Sequence, residues 1–312
     1  MKRKAKWIVV ILCLIFFASI ALASGSTETD NLKDVALPGD SSEKAGETDT
    51  DNESSENNNS PEKSSSIPII DEKLLVDNSG IKITAKEYAT DSIWGDGIKL
   101  LIENGTDKDL TIGCDALIVN DYMISDLFVS EVAAGKSANE NMYISSSELK
   151  AAGVDSVGKV EIYFHAYDSE MDYLFKNEYA EIQTSEYANM DTTPNDAGME
   201  LYNADGIRIV GKTVDENSFW GTAILLYIEN NSGKNVGISV EDMSINGFMM
   251  NPFFATTVYD TKKAIEDITV FSNDLEKNGI EKIEEVELKF HIYDADSFSA
   301  IKDTEPITFS AK

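Results

Sequence analysis

Hydrophobic and polar residues alternate along most of this chain in runs of five to ten residues, and clusters of Gly, Asn and Asp separate the runs. Because a period of two puts neighbouring side chains on opposite faces of an extended strand, the pattern predicts β-strands. One run alternates apolar Val160, Ile162, Phe164 and Ala166 with Glu161, Tyr163, His165 and Tyr167. A second run repeats the apolar set as Val286, Leu288, Phe290 and Ile292. Such strands predict antiparallel sheets with one wet face.

Two segments of the chain repeat each other in sequence. Residues 80–176 align with residues 206–302 at an offset of 126 without a gap, and 31 of the 97 columns are identical. Each copy also predicts one short helix, at residues 146–153 and 272–279, from a Ser at its start and a Gly at its end. We therefore predict an all-β protein of two tandem immunoglobulin-like β-sandwich domains, each with one short helix. Copy 1 spans residues 67–185, a linker spans 186–196, and copy 2 spans 197–312.

The residues before copy 1 predict export. Residues 1–23 have four basic residues, an apolar run and Ala21-Leu22-Ala23, which is typical of a signal peptide with its cleavage site. The apolar run is also just long enough for an uncleaved membrane anchor. Residues 24–66 are rich in Ser, Thr, Asn, Asp and Glu, so they predict a disordered acidic linker.

Charge and cysteine content narrow the functional classes. The chain has 26 Lys and Arg against 56 Asp and Glu, a net charge of −30, which excludes nucleic acid as a partner because a polyanion is repelled. Cys13 lies in the predicted leader, so Cys114 is the one thiol of the mature protein and no internal disulfide can form. Because the matching residue of copy 2 is Val240, the position suits a small buried apolar residue.

Several repeated motifs carry a family resemblance: Gly-Ile-Lys-Ile, the Trp-Gly turn, Leu-Leu-Ile-Glu-Asn, Val-Asn-Asp-Tyr-Met and Phe-His-Ala-Tyr-Asp. In these motifs the chain resembles uncharacterised immunoglobulin-like extracellular domains of secreted and surface proteins from Gram-positive, clostridia-type bacteria. The resemblance covers residues 67–312. It implies an extracellular β-sandwich, and it implies no catalytic residues.

Histidines and tryptophans are the main candidate binding residues. His165 and His291, the two histidines of the chain, occupy the same outward position, beside Tyr167 and Tyr293. With one His per domain we expect no metal site, since zinc needs three or four ligands, and a surface pair with a neighbouring strand explains the same positions. Two further candidates, Trp94 and Trp220, precede a Gly in a predicted turn. Each indole either binds a sugar ring or a partner, or closes one end of the core.

Acidic loops and apolar runs also recur in both copies. Residues 168–170 and 294–296 each bring two carboxylates into a loop, which fits either a weak calcium site or a solvated turn. Apolar residues are dense at 122–129 and 248–254. These runs predict an exposed contact patch, packing between the two domains, or an ordinary buried strand pair.

No sequence motif for catalysis is present: the chain has no phosphate loop, no Gly-x-Ser-x-Gly, no His-Glu-x-x-His and no Cys-His pair. We predict a non-enzymatic, monomeric binding or adhesion module without a cofactor, secreted or held at the cell envelope, whose partner is an extracellular protein or glycan. Contact with a membrane is expected only if the leader is uncleaved. The alternative is a secreted inhibitor or regulator of extracellular hydrolases, which would present one exposed, ordered loop per domain.

Overall fold

The computed structural model describes residues 32–38, 67–91, 95–125, 128–218 and 220–311. The predicted signal peptide, most of the predicted linker and Trp94 lie outside these residues. Across the described ranges, no helix is long and apolar enough to cross a membrane.

Strands dominate the described part of the chain, which confirms the predicted all-β class. In chain order they are β1 (Leu32–Ala36), β2 (Lys73–Asn78), β3 (Ile81–Asp91), β4 (Gly95–Asn104), β5 (Leu110–Val119), β6 (Tyr122–Ile124), β7 (Val129–Val132), β8 (Ser137–Tyr143), β9 (Lys159–Asp168), β10 (Tyr173–Gln183), β11 (Met199–Ala204), β12 (Ile207–Ser218), β13 (Gly221–Asn230), β14 (Val236–Ile245), β15 (Phe248–Met249), β16 (Ala255–Val258), β17 (Lys262–Phe271), β18 (Val286–Asp294), β19 (Ala300–Asp303) and β20 (Ile307–Ala311). The helices are α1 (Ser146–Ala152) and α2 (Ser272–Lys277), at the two predicted positions.

The strands form two hydrogen-bonded sheets. The small sheet has the order β2-β3-β4-β8, and the large one runs β10-β9-β5-β6-β17-β13-β12-β1-β20-β18-β14-β15, with β7, β11, β16 and β19 attached at its sides. Around copy 1, the small sheet faces β5, β9 and β10 across a core that includes Ile83 and Phe164. In copy 2, β12, β13 and β17 face β14, β18 and β20 across a second core that includes Ile224 and Phe290.

The predicted inward faces are confirmed. Their side chains are all 0 % exposed: Val160, Ile162, Phe164, Ala166, Val286, Leu288, Phe290 and Ile292. Alternation determines burial here because each side chain that points away from solvent removes about 25 cal/mol of unfavourable hydration per Å² of apolar surface. Cys114 is half-buried rather than fully buried.

Residues 32–36 contradict the prediction of a disordered linker. They form β1, which is antiparallel to β12 through Leu32–Asp34 and antiparallel to β20 through Val35 and Ala36. Val35 is 5 % exposed and belongs to the second core. Composition averaged over residues 24–66 hides this short strand, because its stability comes from two distant strands of copy 2 rather than from its own sequence.

Copy 1 and copy 2 are joined edge to edge. Strand β6 runs parallel to β17, with Tyr122 opposite Lys263 and Met123 opposite Ala264. Next to this pairing, the buried ammonium of Lys262 lies 2.6 Å from Glu161 Oε2 and 3.2 Å from Asp121 Oδ1. The predicted packing between domains is therefore present for the apolar run of copy 1.

The outward face of β9 is not entirely wet, contrary to the prediction. Glu161 is only 5 % exposed. The ring of Tyr163 meets the ring of Tyr259 edge-on, with centroids 5.0 Å apart. Copy 2 contributes Tyr259 here and the ammonium of Lys262 beside Glu161, so it covers part of the second face of this strand.

Candidate functional site

In copy 1, His165 belongs to a row of aromatic rings on the outer face of β9 and β10. Its ring is stacked on Tyr167 with centroids 5.7 Å apart, and it meets Tyr173 edge-on at 6.0 Å. His165 Nδ1 lies 2.7 Å from Asp115 Oδ1, on the neighbouring strand β5. Gly113, also on β5, lies directly under the imidazole, where a Cβ atom would come 2.4 Å from Nε2. The imidazole thus covers a glycine of the neighbouring strand, which agrees with the interpretation of His165 as one member of a cross-strand surface pair.

Copy 2 repeats the row in a more exposed form. His291 is stacked on Tyr293 at 5.5 Å, and Tyr293 is stacked on Phe298 at 6.2 Å with an interplanar angle of 20°. Phe298 is 78 % exposed, so this platform faces solvent. Tyr293 lies on Gly237, where a Cβ would come 2.2 Å from the ring. Each predicted His and Tyr pair therefore lies together, and copy 2 adds an aromatic ring that the sequence comparison missed.

A possible metal-ligand set lies beside the row in copy 2. One ligand atom each from Glu241, His291 and Asp303 lie within 4.8 Å of one another, and His291 Nδ1 is 2.5 Å from Asp303 Oδ1. Two carboxylates and one imidazole form a ligand set that a divalent ion such as Zn²⁺ accepts, with at least one position left for water. Counting one His per domain missed this set because the carboxylates come from β14 and β19, which are distant from His291 in sequence.

Among the described residues of copy 1, no third ligand completes the equivalent set. Asp115 and His165 match Glu241 and His291, but Asn177 stands where copy 2 has Asp303. The amide N–H of Asn177 donates to Asp115 Oδ2 at 2.9 Å, so the second carboxylate oxygen is already hydrogen-bonded. The two copies are therefore a natural pair for comparing metal binding.

The acidic loops are stabilised internally. Asp294 Oδ1 accepts hydrogen bonds from the backbone N–H groups of Asp296 and Ser297 at 3.1 and 2.9 Å, and Lys234 lies 2.9 Å from Oδ2. The hydrogen bond from Lys234, followed by the bonds from Ser297, holds the pKa of Asp294 below its usual range. Asp168 has the same arrangement in copy 1. These contacts favour the interpretation of the loops as turns rather than calcium sites.

Trp220 lies apart from the histidine of its own copy. It follows β12 in the first layer of copy 2, whereas His291 lies in β18 of the other layer. The indole is 42 % exposed, so it does not close the core. Its carbonyl oxygen accepts a hydrogen bond from Ser272 N–H at 3.1 Å, which ties the turn to the start of α2. Trp94 is outside the described residues.

Buried Asn side chains give a structural reason for the repeated Ile-Glu-Asn motif. The Nδ2 group of Asn104 donates to the carbonyls of Lys108 and Val132, and its Oδ1 accepts from Thr106. Asn230, which is 0 % exposed, makes the same contacts in copy 2. The repeated Asn therefore holds a turn against a neighbouring loop and has a structural role.

The apolar run of copy 2 is open where that of copy 1 is covered. Strand β15 pairs with β14 and is the last strand in the order of the large sheet, and among the described residues no strand lies on its other side. Phe248 is 47 % exposed and Met249 is 65 % exposed. Their counterparts Tyr122 and Met123 contact β17. We name β15 together with the outward side chains of β18 the open face of copy 2.

Comparison with known proteins identifies no family. No protein-family model matches the chain, and no curated protein matches it in sequence. Among solved structures, the YadV chaperone is 14 % identical, covering 72 % of this chain and 98 % of that chain, with a TM-score of 0.23. A complex of the Salmonella enterica SafA pilin with the SafB chaperone is 12 % identical, with coverage of 76 % and 97 % and a TM-score of 0.22. A protein of unknown function from Porphyromonas gingivalis W83 is 9 % identical, with coverage of 69 % and 89 % and a TM-score of 0.18. Similarity at this level supports no inference about function.

Proposed function

We propose that this chain is a non-catalytic binding protein of the extracellular space or cell envelope, built from two tandem immunoglobulin-like β-sandwich domains. We propose further that copy 2 binds a partner protein through its open face. One observation carries this proposal: the equivalent face of copy 1 already holds another β-edge, because β6 pairs with β17. Adding an extended strand to an open edge is a common mode of protein recognition.

The copy 2 residues that contact the equivalent face of copy 1 indicate which kind of partner the open face accepts. Copy 2 contributes a buried ammonium from Lys262, an aromatic ring from Tyr259 and an apolar side chain from Ile265, which is 7 % exposed and packs in the core of copy 1. On the open face, Glu287 occupies the position of Glu161. A partner with an extended segment, a nearby cation and one large apolar side chain therefore suits the open face, and the net charge of −30 favours a basic partner.

A second copy of the same chain suits the open face poorly. The edge that would bind is β8, which matches β17 at the offset of 126. However, Asn139 stands at the position of Ile265, and Thr84 stands at the position of Val210, another residue of copy 2 that packs in the first core. Polar residues at these positions would be desolvated without a partner, which costs about 1–3 kcal/mol each. The open face therefore favours a different protein.

Photo-crosslinking tests the proposal. A photoreactive amino acid is placed at Met249 and, as a matched control, at Leu74, which is 51 % exposed and lies in β2 of the small sheet rather than on the open face. On cells that secrete the protein, we expect Met249 to crosslink to one defined extracellular protein. Excess unmodified protein should compete for this adduct, whereas excess Phe248→Asp protein should not. Identical adducts at both positions, or adducts that resist competition, would refute a specific site on β15.

The aromatic platform supports glycan binding as a second candidate. The ring of Phe298 is 78 % exposed and is stacked on Tyr293, and an exposed aromatic ring offers an apolar surface to a sugar ring. A glycan array probed with the unmodified protein and with Phe298→Ala is the appropriate test. Signals that disappear with Phe298→Ala and persist with Phe248→Asp would assign binding to the platform rather than to β15. Inhibition of an extracellular hydrolase stays a prediction.

A further inference from the structure

We propose that the groove between β12 and β20 of copy 2 is a binding site for an exchangeable extended peptide. In one molecule β1 fills it, and the same segment of a second copy of this chain can take its place. This surface differs from the open face, so the proposal is independent of the function proposed above.

The groove holds β1 through backbone pairing and one buried side chain. Three residues of β1 pair with β12 before the strand crosses to β20, where Ser310 Oγ donates to the carbonyl of Ala36 at 3.3 Å. Val35 lies against Gly211, and a Cβ atom at Gly211 would come 2.8 Å from Val35 Cγ1. Lys33 forms an ion pair with Glu216 at the rim. The groove thus selects an extended segment with a β-branched residue in its fourth position and a cation in its second.

In copy 1 the equivalent segment directly precedes the domain that it completes. There, residues just before β2 take this position, since Ser185 N–H donates to the Ile69 carbonyl at 2.8 Å and Ile70 is buried in the first core. In copy 2 the matching residues 193–196 include no buried side chain. Instead, the N–H of Asn195 donates to the Tyr122 hydroxyl at 3.0 Å, so this stretch contacts copy 1. Copy 2 therefore depends on a segment from elsewhere in the chain.

The connection between β1 and copy 1 makes exchange between molecules feasible. Residues 39–66 number 28 and are predominantly polar. The sequence predicts that these residues are disordered, and a disordered chain of 28 residues has a root-mean-square span of about 30 Å, which corresponds to an effective concentration of about 1 mM. At micromolar protein concentration the groove is therefore occupied by β1 of the same molecule, because its effective concentration exceeds that of β1 from other molecules. A second copy competes when molecules are crowded to about that concentration, for example on a surface.

A labelled peptide with the sequence of residues 30–38 tests the groove. Val35→Asp in the full chain weakens the internal strand, so this variant should bind the peptide at a ratio of one to one, at least about 100-fold more tightly than the unmodified chain does. A peptide that carries the same Val35→Asp change should not bind. If the variant does not fold, an unmodified chain with a protease site among residues 45–60 is cleaved after folding and titrated in its place.

Sedimentation of the full chain tests exchange between copies. The unmodified protein should form dimers as its concentration approaches about 1 mM, and Val35→Asp should remain monomeric. Equal binding of both peptides, or no binding by a folded variant, would overturn the groove as a peptide site. A monomer at about 2 mM would overturn exchange between copies.

Discussion

The ion pair of Lys262 and Glu161 gives a sharp test of how the two copies are held together. Both residues are buried, at 9 % and 5 % exposure, and Lys262 Nζ lies 2.6 Å from Glu161 Oε2. Replacing Lys262 by Met removes the cation but retains most of the apolar stem. The remaining carboxylate would still have Lys159 at 3.3 Å, so its charge would be only partly compensated.

The magnitude follows from the cost of an unpaired buried charge. Removing one partner of a buried pair costs about 3–5 kcal/mol, and we expect about 2–3 kcal/mol because Lys159 stays in place. Urea unfolding followed by circular dichroism measures this loss. The matched control is Lys136→Met, because Lys136 occupies the same position in copy 1 and is exposed. This control should change stability by less than about 0.5 kcal/mol.

A double-mutant cycle separates the pair from the packing around it. If the charge causes the loss, Glu161→Gln added to Lys262→Met should recover at least about 1 kcal/mol, because the amide needs no counter-ion. Equal effects of the Lys262 and Lys136 replacements would refute the argument. A coupling energy near zero between Lys262 and Glu161 would also refute it, since stability at the junction would then come from the apolar contacts alone.

Three further outcomes are expected. Burial, followed by the charge of Glu148, raises the pKa of Glu266 to about 8. Because the folded form then holds a proton that the unfolded chain has lost, the free energy of unfolding should fall between about pH 5 and about pH 8. Glu266→Gln should reduce this loss by on the order of 1–2 kcal/mol, as measured by urea unfolding at each pH. Zn²⁺ should shift the imidazole NMR signals of His291 at a stoichiometry of one, and Asp303→Asn, which installs the residue of copy 1, should weaken the effect at least about tenfold; equal shifts of both histidine signals would contradict a site in copy 2. Asn230→Ala should lower the free energy of unfolding by about 2–4 kcal/mol, because it leaves buried groups without hydrogen bonds; a loss below about 1 kcal/mol in thermal or urea unfolding would show that water replaces the side chain.

The relation between the two copies was partly predictable. Aligned columns place Tyr122 with Phe248 and Asp115 with Glu241, so the sequence supports equivalent positions. It cannot show that copy 2 covers Tyr122, which is 3 % exposed, while Phe248 stays 47 % exposed. That difference depends on the parallel pairing of β6 with β17, whose residues are about 140 positions apart. Period and composition carry no information about a contact so distant in sequence.

The linker illustrates the same limit. A window average over residues 24–66 indicates disorder, and the single apolar anchor Val35 does not change the average. The segment becomes a strand because β12 and β20 leave a place for it and because Gly211 makes room for its side chain. A segment that is polar on average can therefore contain a strand whose stability comes from another part of the chain.

Local chemistry in the sequence determined the strand pattern and the inward faces, because side-chain alternation acts over a few positions. It also indicated the two short helices, but the predicted capping holds only for α1, which Ser145 and Gly153 cap, whereas α2 begins after Phe271 without a side-chain cap. The sequence also placed His165 beside Tyr167 and His291 beside Tyr293. Tertiary structure alone decided which faces meet, which strand completes copy 2, and that Glu241 and Asp303 reach His291. These features require backbone segments to meet across long sequence separations, and only the balance of burial, pairing and charge over the whole fold determines where they meet.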